Sequence, residues 1–457
     1  MSYHALKGPF SPPNAMKSVD LEEKTVVSAT TSSLPVHLNL NVRGLKPSST
    51  LAINERSNLL RAQGRMVYKL GLGQSPFPVP DPVVETLRTN AFQKDYLPVK
   101  GLPALREAVA EYHRRRQGMD SSCEDVLIGP GSKELMFLLQ LVYYGDLVIP
   151  TPSWVSYAPQ AHIIGRHVRW LQTHRENNWR LTPDELEKLC QEDHSRPRIV
   201  ILNYPSNPTG GTYNLDELEA LARVAQNYGV ILLSDEIYGE LHHEGTHVSI
   251  AHFYPEGTII SGGMSKWCGA GGWRLGTFTF PPGLRWLLEA MANVASETFT
   301  STSAPIQYAA VRAFRGGSQI EQYLVQSRRI LRALGQLAAE RMCAAGIEVH
   351  PPQGAFYLFP DFGPAAARLA ERGIRTSQEL CERLLQETGV AILPGSDFGR
   401  PESELTARMA YVDFDGARVL AAAEQRPLDT PLDGAFLTTF CGNVVRAVDL
   451  IGEWVRN

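Results

Sequence analysis

The chain has 457 residues, of which 43% are hydrophobic and 20% charged, a composition typical of globular proteins rather than of disordered or fibrous ones. Its 44 basic and 48 acidic residues give a formal charge of -4, so it lacks the basic excess that binding to a nucleic-acid backbone requires. Because no run approaches the roughly 18 apolar residues of a membrane span and no signal-peptide region opens the chain, we expect a cytoplasmic enzyme with no nucleic-acid or membrane partner.

The first part of the chain divides into an arm and a large domain. Residues 1–50 are rich in Pro, Ser, Thr and Asn, which predicts a poorly ordered or partner-wrapping arm. Within residues 96–315, short apolar runs alternate with helical patterns. The apolar runs are 126–128, 147–149, 199–202, 230–233, 259–260 and 275–280, and the helical patterns are 133–144, 183–190 and 215–228. This alternation predicts an α/β domain whose mostly parallel sheet is covered by helices on both faces.

The pattern changes in the last third of the chain. A long helical pattern at 322–345 is followed by strand-like segments and a closing helix. These segments are 347–349, 355–359, 390–393 and 407–414. We predict that residues 316–457, together with 51–95, form a smaller α+β domain, in which the chain around 59–72 packs with the late strands.

Two strings imitate known motifs. Residues 243–247 read His-Glu-Gly-Thr-His, the pattern of zinc proteases, but Gly and Thr interrupt the helix on which that pattern works. Residues 71–73 read Gly-Leu-Gly, but three prolines replace the helix that a dinucleotide-binding fingerprint must open. The six cysteines are far apart, with no Cys-x-x-Cys pair. We therefore predict a surface loop at 243–247, no dinucleotide fingerprint and no metal.

Polar groups follow two apolar runs of the large domain. Residues 203–211 read Asn-Tyr-Pro-Ser-Asn-Pro-Thr-Gly-Gly and end one run in a rigid turn, where Asn207 faces the ligand-binding edge of an α/β sheet. Ordinary turn chemistry explains this segment equally well. Asp235 emerges just after the apolar run 230–233, and Tyr238 follows three residues later. A buried carboxylate there needs a partner, either a protonated ring nitrogen or an arginine.

Two further segments carry basic residues. Residues 261–276 hold five glycines before Arg274, with Lys266 eight positions ahead of that arginine. A lysine in such a setting reacts with aldehydes and an arginine suits phosphate or carboxylate, although solvated surface charges are the alternative. Arg408 interrupts the strand-like run 405–412, so it pairs with either an internal or a bound acid.

In this order, the four segments resemble the motifs of class I/II aminotransferases, enzymes of fold type I that use pyridoxal 5'-phosphate, from about residue 67 to 414. The resemblance implies a large domain, a smaller α+β domain and five residues around the cofactor ring. Lys266 would hold the cofactor covalently and then move the substrate's proton. Asp235 would keep the pyridine nitrogen protonated, Tyr238 and Asn207 would bond the ring's 3'-oxygen, and Trp154 would stack on the ring.

The resemblance also implies a phosphate site at a helix start. Gly131, Ser132 and Lys133 begin a predicted helix, whose backbone N–H groups favour an anion. Ser265 and Arg274 would add side-chain contacts.

Substrate and subunit contacts follow from the same resemblance. Arg408 would grip the substrate α-carboxylate, assisted by Asn207 and by the main-chain N–H of Gly73. Tyr96 matches a tyrosine that reaches the phosphate of a neighbouring subunit, which implies a homodimer with shared active sites.

The sequence departs from the family pattern at two places. Gly263 stands where relatives often carry a phosphate-binding Ser, and Ser261 is a candidate substitute. Residues 73–76 read Gly-Gln-Ser-Pro instead of the commoner Gly-Glu-Pro, so the loop over the substrate differs.

These residues predict an amino-acid aminotransferase with ping-pong kinetics and 2-oxoglutarate as the expected acceptor. The alternatives are another reaction on the same scaffold, namely aminocyclopropane carboxylate synthase-like elimination, a carbon–sulfur lyase or an oxidase, and a non-catalytic cofactor-binding sensor. Tyr157, Trp267 and Trp273 hint at bulky or aromatic substrates, and core packing explains them equally well.

Overall fold

A computed structural model describes residues 37–457. Residues 37–43 contain a short 3-10 helix, Leu40–Val42, and residues 44–457 form one compact unit. The N-terminal arm expected at residues 1–50 therefore lies mostly outside the described residues, and its first described α-helix begins at Ser49.

Helices and strands alternate through the first two thirds of the described chain. The α-helices of residues 37–457 are α1 (Ser49–Ala62), α2 (Asp81–Asn90), α3 (Pro103–Gln117), α4 (Ser132–Val142), α5 (Tyr157–Ile163), α6 (Pro183–Gln191), α7 (Leu215–Asn227), α8 (Arg285–Glu297), α9 (Ala304–Arg315), α10 (Ser318–Ala344), α11 (Ala366–Glu371), α12 (Ser377–Thr388), α13 (Gly416–Glu424), α14 (Gly434–Phe440) and α15 (Gly442–Arg456). The strands are β1 (Tyr68–Lys69), β2 (Val126–Gly129), β3 (Asp146–Thr151), β4 (Val168–Gln172), β5 (Arg198–Asn203), β6 (Ile231–Asp235), β7 (Thr258–Gly263), β8 (Gly276–Thr279), β9 (Tyr357–Leu358), β10 (Val390–Ala391), β11 (Leu393–Pro394) and β12 (Ala407–Ala410).

The central sheet has seven strands in the order β2-β8-β7-β6-β5-β3-β4, and only β8 runs antiparallel to its neighbours. Successive residues of β5 point to opposite faces. Ile199 and Ile201 pack in one apolar cluster with α4 and α8, whereas Val200 and Leu202 pack in another with α6 and α7. Both faces are therefore covered, which confirms the predicted α/β fold with a mostly parallel sheet.

Strand register positions the site. Asn203 at the end of β5 pairs with Asp235 at the end of β6, and Asp235 pairs with Ser261 on β7. Three polar side chains thus meet at the carboxyl edge of the sheet, where open α/β sheets bind ligands.

Short strands form the second region. β1 pairs in parallel with β10, and β12 lies between β11 and β9 in an antiparallel sheet. The pairing of Ala410 with Tyr357 places the strand of Arg408 beside the strand of Tyr357. The predicted packing of the 59–72 segment with the late strands is confirmed by the pair of Tyr68 with Val390.

A side-chain cap sets the start of α7. Asn214 caps α7 by accepting from the backbone N–H of Glu217, whose carboxylate accepts from the backbone of Asn214 in return. This reciprocal cap satisfies two N–H groups that the helix leaves unpaired, so the predicted start of α7 is confirmed.

Other predicted elements differ from the structure. Segment 347–349 is wrong as a strand, because Glu348 forms only an isolated bridge to Asp361. Strand 407–414 stops at Ala410, and the single closing helix is in fact α13, α14 and α15. Strand β4, whose residues are partly exposed at the sheet edge, was not predicted because it lacks a continuous apolar run.

Among the described residues, no single helix is long and apolar enough to cross a membrane. The pair α14 and α15 passes that test together by length and composition, but it is bent by 107°. The apolar face of α15 is buried in the protein core.

Candidate active site

A cavity of about 510 Å³ lies at the carboxyl edge of the central sheet. Most of the predicted site residues line it, namely Gly73, Ser132, Lys133, Trp154, Asn207, Asp235, Tyr238, Ser265, Lys266 and Arg274. Three of these are basic, and Asp235 is the one acidic residue in the lining. The cavity is therefore positively charged overall and suits anionic ligands.

Lys266 lies in the loop between β7 and β8, and its ammonium projects into the cavity. Its Nζ donates to the carbonyl oxygen of Gly73 at 2.6 Å, and no carboxylate of residues 37–457 pairs with it. Removal from water, reinforced by the nearby charge of Arg408, lowers the pKa of Lys266 to about 8. A larger fraction of this amine is therefore unprotonated at neutral pH than in an exposed lysine, as nucleophilic attack on an aldehyde requires.

Asp235 is buried, with 3% of its surface exposed. Its carboxylate accepts from the Tyr157 hydroxyl at 2.5 Å and from the Ser261 hydroxyl at 3.2 Å. Burial raises the pKa of Asp235 to about 6, although both hydrogen bonds act in the opposite direction. The arginine partner considered from the sequence does not occur among the described residues, so this buried carboxylate has no cationic partner there.

Arg408 lies on β12 and is 1% exposed. It donates to the side-chain oxygen of Asn207 at 3.2 Å and to the carbonyl oxygen of Gly71. Its guanidinium carbon lies 4.9 Å from the ring centre of Tyr357 and 5.0 Å from that of Phe398. Within residues 37–457, its Nε has no hydrogen-bond partner. A buried cation with an orphaned donor fits a carboxylate ligand.

The opposite end of the cavity is built on the start of α4. Gly131 precedes the helix with a φ of +95°, and an added Cβ would lie 2.2 Å from the Arg274 guanidinium. Arg274 itself donates to the carbonyl oxygens of Gly271 at 2.9 Å and Pro130 at 3.3 Å. A helix amino terminus beside an arginine without an acidic partner in the described chain fits a phosphate group.

Of two further predicted residues, Trp154 lines the cavity and Tyr96 lies outside it. Trp154 forms a wall of the cavity, with the Lys133 ammonium 5.0 Å above its ring. Tyr96 does not line the cavity of its own chain, and 90% of its surface is exposed.

Two sequence-based suggestions are corrected. Ser261 does not replace a phosphate-binding serine at position 263, because its hydroxyl is buried against Asp235. Trp267 and Trp273 do not line the cavity and pack with the core instead, so they give no support for aromatic substrates. Segment 243–247 forms a turn that is exposed at residues 244–246, in agreement with the predicted surface loop, and His247 bonds Glu236 at 2.8 Å.

The structure adds two tyrosines that sequence reasoning did not place. Tyr157 lies in the cavity wall and binds Asp235, although its sequence position suggested only a bulky-substrate contact. Tyr357 bonds the hydroxyl of Tyr238 at 2.7 Å, and the run 355–359 signalled only a strand. Neither partner is near in sequence, so no local pattern reveals these pairs.

The residues present fit pyridoxal 5'-phosphate at both ends. Among the described residues, Asp235 has no cationic partner where a protonated ring nitrogen would bind, and Arg274 at the start of α4 has no acidic partner where a phosphate would bind. Lys266 lies between these ends with a lowered pKa. This matches the chemistry of an aldehyde that carries a phosphate and a basic ring.

Comparison with known proteins agrees with this site. The family of class I and II aminotransferases matches residues 65–421. The aspartate aminotransferase of Geobacillus stearothermophilus is 36% identical over 81% of this chain and 93% of its own length. The aspartate/prephenate aminotransferase of Thermus thermophilus is 34% identical over 84% of this chain and 99% of its own length.

A solved structure of the Thermus thermophilus aspartate aminotransferase with maleate is similar to this chain, with a TM-score of 0.78 and 29% sequence identity. That similarity covers 92% of this chain and all of the other chain. With the family match and the cavity, it confirms the predicted fold type I architecture and cofactor. The chain belongs to the class I and II aminotransferases, and it is a pyridoxal phosphate-dependent enzyme that moves amino groups between amino acids and 2-oxo acids.

Proposed function

We propose that aspartate is the amino donor and 2-oxoglutarate the acceptor. The observation that carries this is the charge of the site: Lys133, Lys266 and Arg274 line the cavity against one acidic residue, and Arg408 lies beside it. This positive charge suits anionic substrates, and aspartate and 2-oxoglutarate each carry two carboxylates. The names of the Geobacillus and Thermus relatives support the same donor.

We assign the substrate α-carboxylate to Arg408. Its Nε is the orphaned donor, and its hydrogen bonds to Asn207 and Gly71 hold the guanidinium plane in place. The Gly73 carbonyl oxygen accepts a hydrogen bond from the Lys266 amine in the described state.

Lys266 moves the proton in this scheme. Its amine, whose pKa is lowered to about 8, would accept the proton from the substrate α-carbon and pass it within the same half-reaction to the carbon of the cofactor aldehyde, and the second half-reaction would reverse this transfer. Bound pyridoxal phosphate supplies the electron sink for that proton loss. Asp235 holds the proton on the ring nitrogen, and the Tyr157 hydroxyl fixes the orientation of the Asp235 carboxylate.

We further propose a homodimer in which Tyr96 reaches the phosphate of the neighbouring site. The support is its position outside its own cavity, together with the exposure of Tyr96 at 90% and of Phe92 at 74%.

We also propose the division into a cofactor-binding domain, residues 96–315, and a smaller domain, residues 51–95 and 316–457. Their separate sheets support that division.

The donor assignment is tested by steady-state kinetics on the purified enzyme with 2-oxoglutarate and a panel of amino acids. We expect aspartate to give the highest kcat/KM, with parallel double-reciprocal plots, and Lys266→Ala to show no turnover. Borohydride reduction of the wild-type enzyme should attach the cofactor to the Lys266 peptide. A neutral or aromatic donor that exceeds aspartate would refute the donor, whereas labelling elsewhere would refute the Lys266 assignment.

A further inference from the structure

Tyr357 is a buried residue of β9 whose hydroxyl oxygen lies 2.7 Å from that of Tyr238. The two rings meet edge to face, with centroids 5.5 Å apart and planes at 82°. Burial and the partner phenol raise the pKa of Tyr238 above its usual range, and burial raises that of Tyr357. Both hydroxyls therefore carry protons at neutral pH.

One hydrogen bond joins these two phenols, so one proton lies between the oxygens and the other points elsewhere. Tyr238 lines the active-site cavity, whereas Tyr357 does not. Space around the Tyr357 hydroxyl is closed: a Cβ added at Gly73 would lie 2.0 Å from its oxygen. Among the described residues, Tyr238 is the only hydrogen-bond partner of that hydroxyl. The arrangement favours Tyr357 as the donor and leaves the Tyr238 proton free to point into the cavity.

We propose that Tyr357 is a positioning residue that donates to Tyr238 and so directs the Tyr238 proton toward the 3'-oxygen of the cofactor. This inference rests on the proposed role of Tyr238 at that oxygen. A hydroxyl that accepts a hydrogen bond becomes a stronger donor, because the two bonds polarise each other. Tyr357 therefore strengthens the bond that stabilises negative charge on the 3'-oxygen.

The location of Tyr357 also links this effect to substrate binding. Its ring lies 4.9 Å from the Arg408 guanidinium carbon, and its strand pairs with the strand that carries Arg408. One side chain thus contacts both the proposed carboxylate-binding arginine and the tyrosine of the cofactor end. Its hydroxyl bonds Tyr238, whereas its ring packs against the Arg408 guanidinium. A substitution that removes only the hydroxyl separates the two contributions.

The test is a pH titration of the visible absorption of the cofactor-loaded enzyme. That absorption reports the proton shared by the 3'-oxygen and the Lys266 nitrogen. In Tyr357→Phe the ring stays and the donor is lost, so less charge is stabilised on the 3'-oxygen and the nitrogen holds its proton more tightly. We expect the midpoint to rise by about 0.5 pH unit, a change of the size that one polarised hydrogen bond causes.

Tyr238→Phe separates this inference from the role on which it depends. We expect a larger upward shift in Tyr238→Phe, and no further shift when Tyr357→Phe is added to it. If Tyr238→Phe leaves the midpoint unchanged, both the role of Tyr238 and the inference fail. If Tyr238→Phe shifts the midpoint but Tyr357→Phe does not, or if their shifts add, only the inference fails.

Tyr411→Phe is the matched control. Tyr411 is as buried as Tyr357, and its hydroxyl has no hydrogen-bond partner within residues 37–457. We expect its midpoint to equal that of the wild type, and a comparable shift there would overturn the inference. Tyr357→Met also lacks a hydroxyl donor but fills much of the same space, so we expect it to raise the midpoint as well. This second variant keeps the test valid if Tyr357→Phe folds poorly.

Discussion

Burial at single residues creates the chemistry of this cavity, because it penalises charge on both Lys266 and Asp235. The pKa of Lys266 falls to about 8 and that of Asp235 rises to about 6. In the cofactor-free site, the charged forms of both residues therefore cost free energy. A ligand that carries the complementary charge beside each residue lowers that cost. Two predictions follow at this scale.

The first concerns how fast the cofactor-free enzyme captures pyridoxal phosphate. Only the unprotonated amine attacks an aldehyde, so the second-order rate should rise about tenfold per pH unit below the pKa of Lys266 and level off near pH 8. Stopped-flow absorbance between about pH 6.5 and 9.5 measures this rate, with a free lysine derivative of ordinary pKa, near 10.4, as the control. A rate that climbs in parallel with the control beyond pH 9 would contradict the lowered pKa.

The second concerns stability and Asp235→Asn. In the folded state Asp235 binds its proton up to about pH 6, whereas the unfolded chain releases it near its usual value of about 4. The folded state therefore loses stability as the pH rises through this window. The cofactor-free variant should gain about 2–3 kcal/mol in unfolding free energy at pH 7, and the gain should vanish toward pH 4.

Denaturant titrations of both cofactor-free proteins at pH 4.5 and 7 measure that gain. The same variant should bind pyridoxal phosphate more weakly, since a neutral amide cannot pair with the protonated ring nitrogen. A variant less stable than the wild type at pH 7 would show that the hydrogen bonds from Tyr157 and Ser261 outweigh the burial penalty.

At the scale of elements, the start of α4 and the loop before β8 meet at Gly131 and Arg274. Gly131 combines a φ of +95° with an imagined Cβ 2.2 Å from Arg274. The proposed phosphate site is therefore a property of two elements in contact, and neither element forms it alone.

Gly131→Ala tests this contact. We expect at least a tenfold loss of pyridoxal phosphate affinity, because the methyl group displaces the Arg274 guanidinium, together with about 1–2 kcal/mol of backbone strain. Gly229→Ala is the control: its φ is also positive, at +61°, but a Cβ there meets nothing within 4 Å. Equal losses of affinity in the two variants would show that strain, and not Arg274, is responsible.

At the scale of the whole molecule, the proposed dimer divides each site between two chains. Tyr96 is the residue that would cross, and it is exposed in the isolated chain. The cytoplasmic location expected from the sequence stays a prediction.

Hybrid dimers test the shared site. Lys266→Ala and Tyr96→Ala each impair every site of their own homodimers, but a hybrid dimer collects both changes in one site and leaves the other intact. Mixing the two variants under conditions that exchange subunits should therefore restore about a quarter of wild-type activity, the value expected when half of the dimers are hybrids with one good site. Activity that stays at the mean of the two variants would refute a crossing Tyr96.

The sequence by itself determined the fold class and most of the cavity lining. Strands β5 and β6 carry the apolar runs 199–202 and 231–233. Asn207 lies in the turn after β5 and Asp235 is the last residue of β6, so local periodicity and turn chemistry were enough to predict both. Only the tertiary structure decided which distant side chains form hydrogen bonds with the site residues. Tyr157 reaches Asp235 across 78 residues, and Tyr357 reaches Tyr238 across 119. A local pattern encodes which face a side chain takes, whereas such partners are set by how distant elements pack.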